Sequence, residues 1–254
     1  MLHDQAMDTD FSDMVTVDAE IDDAIEAVAF IAAPRERPIW MYNSEPASTL
    51  TVTGTTGRAY LDRIQLWNDT NAADDEPSLR CADAHVDIRR SHVVNNDGGG
   101  IEALGQCEIV IHNSFVGTND VSVDALLIVD STVAATILYS TLGGADGAAA
   151  ALRCPSAGPN VHVRNSLLVS RSGGPEVDCD GAILTTNATE AGLMVDMDTN
   201  WFNNYDDGDF HLTNDAPDGI IIADWLPGDP TTDIDGNPRI IAEGQLGRAG
   251  ADVP

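Results

Sequence analysis

The feature that most constrains the fold of this chain is an irregular repeat of about 26 residues. Five segments, at residues 59–66, 86–93, 109–116, 135–142 and 161–168, share one apolar pattern of eight positions. The first and third positions are apolar, as on one face of a strand. No helical period accompanies this pattern, so the repeat unit is expected to be built from short strands.

The apolar alternation shifts phase at the fifth and sixth positions of each segment, and the eighth position is apolar again. A single bend residue between two short strands explains this shift. Asn113 and Asn165 occupy the bend in two segments, and asparagine tolerates the left-handed conformation better than most residues. Glycine-rich stretches such as 143–147 then predict turns, and a further short strand, such as 125–129, begins the next cycle.

Two or three short strands in each cycle predict an all-β fold whose successive coils stack in parallel as a solenoid. Because one coil cannot bury its apolar side alone, like residues must form continuous columns through the core. Two such columns are expected: Leu61, Ile88, Ile111, Ile137 and Val163, and Leu66, Val93, Val116, Leu142 and Leu168.

The chain resembles right-handed parallel β-helix proteins of the pectate-lyase-like type in segment 161–168, the turn at 95–101 and the tail at 208–212, 233–239 and 250–252. It is most similar to secreted repeat proteins of unknown role from myxobacteria and marine bacteria. The resemblance runs from about residue 27 onward and implies a right-handed parallel β-helix at an extracellular or cell-surface location. It does not select an activity, because one solenoid fold hosts lyases, hydrolases, adhesins and inert stalks.

The chain divides into three parts. Residues 1–26 are an acid-rich lead-in or an incomplete cap, and they lack the basic and apolar regions of a signal peptide. Residues 27–189 hold the coils, and residues 190–254 form a C-terminal capping segment. We expect this cap to close the open end of the core and to protect the edge of the last coil. Its aromatic residues are Trp201, Phe202, Tyr205, Phe210 and Trp225.

Four cysteines, Cys81, Cys107, Cys154 and Cys179, are spaced at intervals of 26, 47 and 25 residues. Two of these intervals match the repeat, which puts the first pair on neighbouring coils and likewise the second pair. Coils about 4.8 Å apart bring such residues within the range of a disulfide. We therefore expect bridges 81–107 and 154–179 if the protein is exported. The alternative is four buried free thiols, which apolar packing tolerates.

Residues at the second and fourth positions of the segments face away from the core. The polar members of this outer strip are the candidate binding residues: Tyr60, Asp62, Asp87, Arg89, His112, His162 and Arg164. β-Helix lyases and hydrolases carry their catalytic groups on such a face, and a sugar chain can also lie across it. Val110, Thr136 and Leu138 interrupt the strip with inert groups, which favours an ordinary solvated face over a catalytic one.

The charge of the chain excludes several partners. It has 12 basic residues, all of them arginine, and 42 acidic residues, for a net charge of −30. A surface this negative repels phosphate backbones and anionic lipid, so neither nucleic acid nor a membrane surface is an expected partner. No apolar run is long enough to predict a membrane span. An anionic polysaccharide would need bound cations to approach, whereas a neutral glycan is allowed.

Asp233 and Asp235 offer hard oxygen ligands of the kind that calcium prefers. Their spacing does not match an EF-hand loop, and Asp-Gly is foremost a turn former. The resemblance to β-helix proteins suggests instead that Asp233, Asp235 and Arg239 form a capped turn near the end of the domain, and no other cofactor is expected.

These observations favour a non-catalytic, secreted or cell-surface β-helix protein that presents an extended face to a glycan or to another protein. Two other functions remain open. One is a carbohydrate-active enzyme, either a polysaccharide lyase or a glycoside hydrolase, on the same scaffold, and the other is an inert structural spacer. A cleft over the charged pairs of the outer face would favour the enzyme, and a flat, convex face would argue against it.

Overall fold

The computed structural model of the protein describes residues 15–18, 27–33, 36–42, 47–55, 57–68, 76–95, 98–118, 123–145, 149–158, 160–171, 174–193, 199–242 and 244–253. Apart from strand residues 15–18, the acidic lead-in expected at residues 1–26 lies outside the described residues.

The described coils form three parallel sheets of seven strands each. The first sheet contains β1 (Val15–Asp18), β4 (Leu50–Thr53), β7 (Leu79–Ala82), β10 (Ile101–Leu104), β13 (Leu126–Ile128), β16 (Leu152–Cys154) and β19 (Val177–Cys179). The second contains β2 (Val28–Ile31), β5 (Arg58–Asp62), β8 (His85–Arg89), β11 (Glu108–His112), β14 (Ala134–Leu138), β17 (Val161–Arg164) and β20 (Ile183–Thr185). The third contains β3 (Ile39–Tyr42), β6 (Gln65–Asn68), β9 (His92–Asn95), β12 (Phe115–Thr118), β15 (Thr141–Gly144), β18 (Leu167–Ser170) and β21 (Ala188–Thr189).

Each coil contributes one strand to each sheet, and hydrogen-bonded neighbours are three strands apart in the chain. Pairing between successive coils is parallel, as between β8 and β11 of the second sheet. The repeat thus winds into a solenoid, and the predicted all-β parallel stack is confirmed.

Both predicted core columns exist in register. Leu61, Ile88 and Ile111 are direct partners on β5, β8 and β11, and the remaining members of each column follow in the same way. Every residue of the two columns is at most 1 % exposed. Full burial of such side chains stabilises a fold by roughly 1.5–3 kcal/mol each, so the columns are the main source of cohesion between coils.

A left-handed residue occupies the predicted bend of every repeat segment. The five residues, with φ between 48° and 59°, are Arg63, Arg90, Asn113, Tyr139 and Asn165. Three of them are not asparagine, and this conformation costs such residues roughly 1–2 kcal/mol each. The backbone offsets the cost, because each bend amide donates to a carbonyl of the next coil, as from Asn113 to Leu138 at 3.1 Å.

A serine follows the bend in four coils, and together these serines form a buried ladder: Ser91, Ser114, Ser140 and Ser166. The hydroxyl of Ser114 accepts a hydrogen bond from the amide of Ser91 at 3.2 Å and donates to the carbonyl of His112 at 2.8 Å. The same amide-to-hydroxyl contact recurs along the ladder at 3.1 to 3.3 Å. The ladder thereby satisfies an amide that each sharp bend would otherwise leave buried without a partner.

Replacing one rung of this ladder should destabilise the fold strongly for so small a change. In Ser114→Ala the buried amide of Ser91 loses its acceptor, which costs roughly 1–3 kcal/mol. Urea unfolding of the variant and the wild type measures the difference. Thr136→Ala, at an exposed outward position of β14, is the control and should change the free energy of unfolding by no more than about 0.5 kcal/mol. Equal stability of all three proteins would show that the ladder contributes nothing.

Two disulfides join neighbouring coils, Cys81 to Cys107 and Cys154 to Cys179, with Cα separations of 5.9 and 4.4 Å. These are the pairs that the coil spacing predicts. The second pair consists of direct partners in the register of the first sheet. In the first pair, Cys81 lies on β7, whereas Cys107 precedes β11 by one residue and belongs to the next coil.

The disulfides lead to a simple prediction for thiol titration. Protein that is unfolded in denaturant without reductant should show no free thiol, and the same protein after reduction should show four, because all four cysteines are bonded. Four thiols in the unreduced sample would contradict both bridges. Two would contradict one of them, and mass spectrometry of the digest would identify which.

In the described residues of the C-terminal segment the secondary-structure elements are all short. They are α1 (Glu190–Leu193), three 3-10 helices at Thr199–Trp201, Tyr205–Asp207 and Asp218–Ile220, and the strands β22 (Phe202–Asn204), β23 (Asp209–Leu212), β24 (Ile221–Asp224) and β25 (Leu246–Arg248). The strands form two antiparallel pairs, β22 with β23 and β24 with β25.

This segment packs along the outer face of the third sheet. The ring of Phe210 lies 5.8 Å from that of Phe115 on β12, and the hydroxyl of Tyr205 donates to the carbonyl of Gly144 on β15 at 2.6 Å. Glycine at position 143 makes room for this contact, since a Cβ there would lie 2.5 Å from the ring of Phe210. Strands β12, β15 and β18 are consequently buried on both faces.

The aromatic cap therefore exists, but its position corrects the expectation that it closes the open end of the core. In the last coil Ile183 and Leu184 are 50 % and 44 % exposed, although Leu184 continues the core column of Val163. The physical reason lies in the third sheet, whose outward residues, such as Phe115 and Leu167, are apolar and need cover. The aromatic side chains provide that cover along the side of the solenoid.

Candidate functional site

Strand parity and coil register bring the seven predicted strip residues onto the outer face of the second sheet. Second-position residues Tyr60, Asp87 and His162 lie in one column, and fourth-position residues Asp62, Arg89, His112 and Arg164 lie in the next. Neighbouring coils lie about 4.8 Å apart, but Val110 and Thr136 separate Asp87 from His162, and Leu138 separates His112 from Arg164. The seven residues share one outward face, here called the strip face.

The charged groups of the strip face are paired with one another or with the C-terminal segment. Arg89 donates to both oxygens of Asp87, at 2.9 and 2.7 Å, and Asp87 is only 6 % exposed beneath it. Arg90 forms a similar two-pronged pair with Asp62, at 2.8 Å from Nε. Arg164 likewise donates hydrogen bonds to both carboxylate oxygens of Asp229 in the C-terminal segment, with Nη1 at 2.8 Å.

These pairs set the chemistry that the strip face can perform. The hydrogen bond to Asp87 raises the pKa of Arg89, and the hydrogen bond to Asp229 does the same for Arg164. A general base needs the opposite shift, toward the operating pH. Burial lowers the pKa of His112, which lies in the column between the two arginines, so its imidazole is held neutral. The strip face thus offers fixed cations and hydrogen-bonding groups.

A cleft of about 330 Å³ opens beside the strip face, where the strands of the second sheet begin. Its lining residues are Thr55, Gly57, Arg58, Asp83, Ala84, His85, Gln106 and Glu108. Arg58, His85 and Glu108 are direct partners at the first positions of β5, β8 and β11, so they extend the outward columns by one position. The cleft and the strip face therefore form one polar surface across three coils.

The groups in the cleft are mixed donors and acceptors. His85 Nδ1 lies 3.0 Å from a carboxylate oxygen of Glu108, and the backbone amide of Gln106 donates to Asp83 at 2.8 Å. The ring of Tyr60 lies 6.4 Å from the imidazole of His85 and forms an aromatic border toward the strip face. Such a mixture suits sugar hydroxyls, which both donate and accept hydrogen bonds.

The cleft residues were not predicted from the sequence, although a signal for them was present. Arg58, His85 and Glu108 precede the first position of each repeat segment by one residue and so share the parity of the strip. Extending the eight-position pattern by one residue toward the N-terminus predicts that the side chains of Arg58, His85 and Glu108 face away from the core. Asp83 and Gln106 lie in turns, where no periodicity reveals which way a side chain points.

The two aspartates considered for calcium have different surroundings. Asp233 is fully buried, and its carboxylate accepts hydrogen bonds from the amides of Asp235, Asn237 and Val253, at 3.0, 2.7 and 3.2 Å. It also accepts one from the Asn237 side chain at 3.0 Å. This arrangement organises a turn and supports the capped-turn interpretation, while calcium at this position stays a prediction.

Asp235 instead takes part in a network around His211, which sequence reasoning did not single out. His211 Nε2 contacts Asp235 at 2.8 Å, and its Nδ1 contacts Asp209. Asp235 also pairs with Arg37 of the first coil at 3.3 Å, and Arg37 contacts His92 Nε2 at 2.7 Å. The network ties the C-terminal segment to the coils.

Ligand atoms of His211, Asp235 and Asp252 lie within 4.8 Å of one another, a spacing that suits a metal ion. Both nitrogens of His211 already face carboxylates, however, and Asp252 accepts the amide of Leu212 at 2.7 Å. The present contacts are therefore complete without a metal ion, and the cluster is described here as an ion-pair network.

The pKa values of His211 and His92 are shifted in opposite directions. Burial opposes the charge of His211, but hydrogen bonds to Asp209 and Asp235 outweigh burial and raise its pKa to about 10. Burial, together with the nearby charges of Arg37 and His211, lowers the pKa of His92 well below its ordinary value. His211 is thus a cation and His92 a neutral acceptor at neutral pH.

Stability should consequently fall with rising pH through the network. A group whose pKa is higher in the folded state contributes fully below its unfolded pKa of about 6.5 and loses that contribution as the pH passes its folded pKa. The stability difference between the wild type and His211→Gln should therefore be largest near pH 6 and should shrink toward pH 10. Urea unfolding of both proteins across this range measures it. A difference that is constant with pH would contradict the raised pKa, and Thr136→Ala serves as a non-titrating control.

Comparison with known proteins adds no relative. No protein-family model, curated protein or solved structure matches the chain. The fold is a parallel β-solenoid by its own geometry, and the pectate-lyase-like assignment stays a resemblance. Among the described residues, no helix is long and apolar enough to cross a membrane.

Proposed function

We propose that this protein is a non-catalytic, exported binding protein whose cleft and adjoining strip face bind a neutral glycan. The observation that carries the proposal is the continuous polar surface across three coils, with a cleft at its edge. Arg58, His85, Gln106 and Glu108 line the cleft and supply donors and acceptors side by side. In an oligosaccharide lying across the coils, one sugar unit would contact the cleft and the next sugar unit would contact the strip face.

The charge of the protein favours a neutral glycan over an anionic one. Asp83 and Glu108 line the cleft, and the chain as a whole carries a net charge of −30. A uronate would be repelled by both, whereas sugar hydroxyls donate readily to carboxylates. Tyr60 adds an apolar ring face at the border of the cleft, of the kind on which a pyranose stacks.

The pairing of the strip-face charges supports binding over catalysis. Arg89 and Arg164 are each held by two hydrogen bonds to a carboxylate, and their pKa values are raised. In β-helix lyases an arginine acts as the base that abstracts a proton. Because a base must first lose its own proton, the raised pKa values of Arg89 and Arg164 disfavour this role. A preformed set of fixed charges is well suited to hold a ligand in one orientation.

A carbohydrate-active enzyme is the second candidate, and one contact favours it. His85 Nδ1 and Glu108 approach to 3.0 Å within the cleft, a distance at which a general acid or base and its orienting partner also lie, although Nδ1 forms no hydrogen bond in the structure. This enzyme would be a glycoside hydrolase acting on the same neutral glycan. It differs from the binding protein only in turnover.

Export is supported by the two disulfides. Such bonds form and persist in oxidising environments, including the bacterial periplasm and the cell exterior. Both bridges join neighbouring coils, and each restricts the unfolded chain. An extracellular or cell-surface protein fits these bonds and the highly charged surface.

Calorimetric titration with neutral hexasaccharides of glucose, xylose and mannose, and with a galacturonate hexasaccharide, tests the proposal. We expect at least one neutral oligomer to bind and the galacturonate oligomer not to bind. Glu108→Ala removes an exposed cleft carboxylate and should weaken binding at least tenfold, which corresponds to about 1.4 kcal/mol. Asp215→Ala, which removes an exposed carboxylate of the C-terminal segment outside the cleft and the strip face, is the matched control and should change binding little.

A reducing-sugar assay on the same oligomers separates the two candidates. No turnover with intact binding supports the binding protein. Turnover that both His85→Ala and Glu108→Gln abolish would replace it with the hydrolase. Failure of every neutral oligomer to bind, or binding that Glu108→Ala leaves unchanged, would refute the cleft as the glycan site.

A further inference from the structure

A second, smaller pocket adjoins the antiparallel β24–β25 strand pair and the bend residue Tyr139. Its volume is about 130 Å³, and its lining residues are Tyr139, Ile221, Arg239, Ile240, Gly247, Arg248 and Val253. These lining residues include two arginines and no carboxylate. In a chain with 42 acidic residues and 12 basic ones, this composition is unusual.

The two pocket arginines differ from most other arginines of the described chain, which form ion pairs with aspartate or glutamate. The paired arginines are Arg37, Arg63, Arg80, Arg89, Arg90, Arg153, Arg164 and Arg171. Among the described residues, Arg239 and Arg248 have no ion-pair partner, and neither has Arg58, which is exposed to solvent. Charged side chains that are removed from water normally pair with a group of opposite charge. An anion bound between Arg239 and Arg248 would supply such a group.

Arg239 is held rigidly at one wall of the pocket. It is 7 % exposed, its Nη2 donates to Asn113 and to the carbonyls of Gly250 and Ala251, each at 2.9 Å, and its Nε donates to Thr232. Its guanidinium lies 4.4 Å above the ring of Tyr139. Burial lowers the pKa of Arg239 to about 10, although the nearby charges of Asp233 and Asp252 act in the opposite direction.

Arg248 provides the second donor. It lies directly opposite Ile221 across the β24–β25 ladder, and its Nη1 is buried without a hydrogen-bond partner. A buried donor without an acceptor is costly, and an anion in the pocket would remove that cost. The planar guanidinium fork matches the two oxygens of a carboxylate.

The rim of the pocket is apolar. Ile221 and Ile240 border the two arginines and are 37 % and 49 % exposed. The volume is well below the roughly 300 Å³ at which pockets for drug-sized ligands begin. Space for a small anion with a short alkyl chain therefore adjoins apolar surface that such a chain would cover.

We propose that this pocket binds a small aliphatic monocarboxylate, with the carboxylate on Arg248 and Arg239 and the alkyl chain against Ile221 and Ile240. The site is separate from the cleft of the second sheet and does not depend on glycan binding. It gives a strongly acidic protein one place at which an organic anion is attracted. A hydrophilic anion such as phosphate lacks the alkyl group that the isoleucine rim would cover.

Calorimetry at low ionic strength, with butyrate, acetate, butyramide and inorganic phosphate as probes, tests the site. Butyrate should bind saturably with one site per chain, acetate at least threefold more weakly, and butyramide and phosphate not measurably. Arg248→Gln should weaken butyrate binding at least tenfold. Arg63→Gln, which removes the same charge from a bend outside the pocket, is the matched control and should bind butyrate like the wild type.

Ile240→Ala provides a second variant that does not touch either arginine. It should weaken butyrate binding and leave acetate binding unchanged, and it keeps the test informative if Arg248→Gln fails to fold. The proposal is overturned if butyrate does not bind, if butyramide or phosphate binds as well as butyrate, or if both pocket variants bind butyrate like the wild type.

Discussion

The rest of the structure depends on the parallel hydrogen-bond ladder between successive coils. Because the ladder holds neighbouring strands about 4.8 Å apart in register, each residue contacts its counterpart in the coils before and after it. A core of stacked Leu, Ile and Val follows, and so does the serine ladder, in which each hydroxyl serves the backbone of its neighbour. The same constraint aligns outward residues, so that a functional surface on this fold is a set of columns.

The charges are arranged around this stack in a consistent way. Arg89, Arg90 and Arg164 each meet a carboxylate within hydrogen-bond range. This pairing neutralises the strip face locally. Among the described arginines, Arg58 at the cleft and Arg239 and Arg248 form no ion pair, and the last two line the same pocket beside the β24–β25 strand pair. Two arginines without a lining carboxylate make that pocket chemically distinct from the cleft and the strip face.

The C-terminal segment has a different role from the one that its aromatic residues suggest. Aromatic side chains need apolar surface, and two such surfaces exist on an open solenoid: its ends and any outward apolar face. The third sheet carries Phe115 and Leu167 at outward positions, with glycine at positions 117 and 143 to admit the ring of Phe210. The ion pairs of His211 and Arg37 then attach the segment to the first coil. The side of the solenoid is therefore covered, and its last coil keeps exposed isoleucine and leucine.

The sequence alone determined the coils, the core columns, the bend positions, the disulfide partners and the outward strip, because each of these follows from a period that the ladder repeats. It did not determine where the tail packs, which charges pair, or that Arg58, His85 and Glu108 border a cleft. Those features depend on contacts between residues far apart in the chain, such as Arg164 with Asp229 and Arg239 with Asn113, for which no period exists. Tertiary structure decided them, since the packing of the tail against the third sheet sets which polar groups meet.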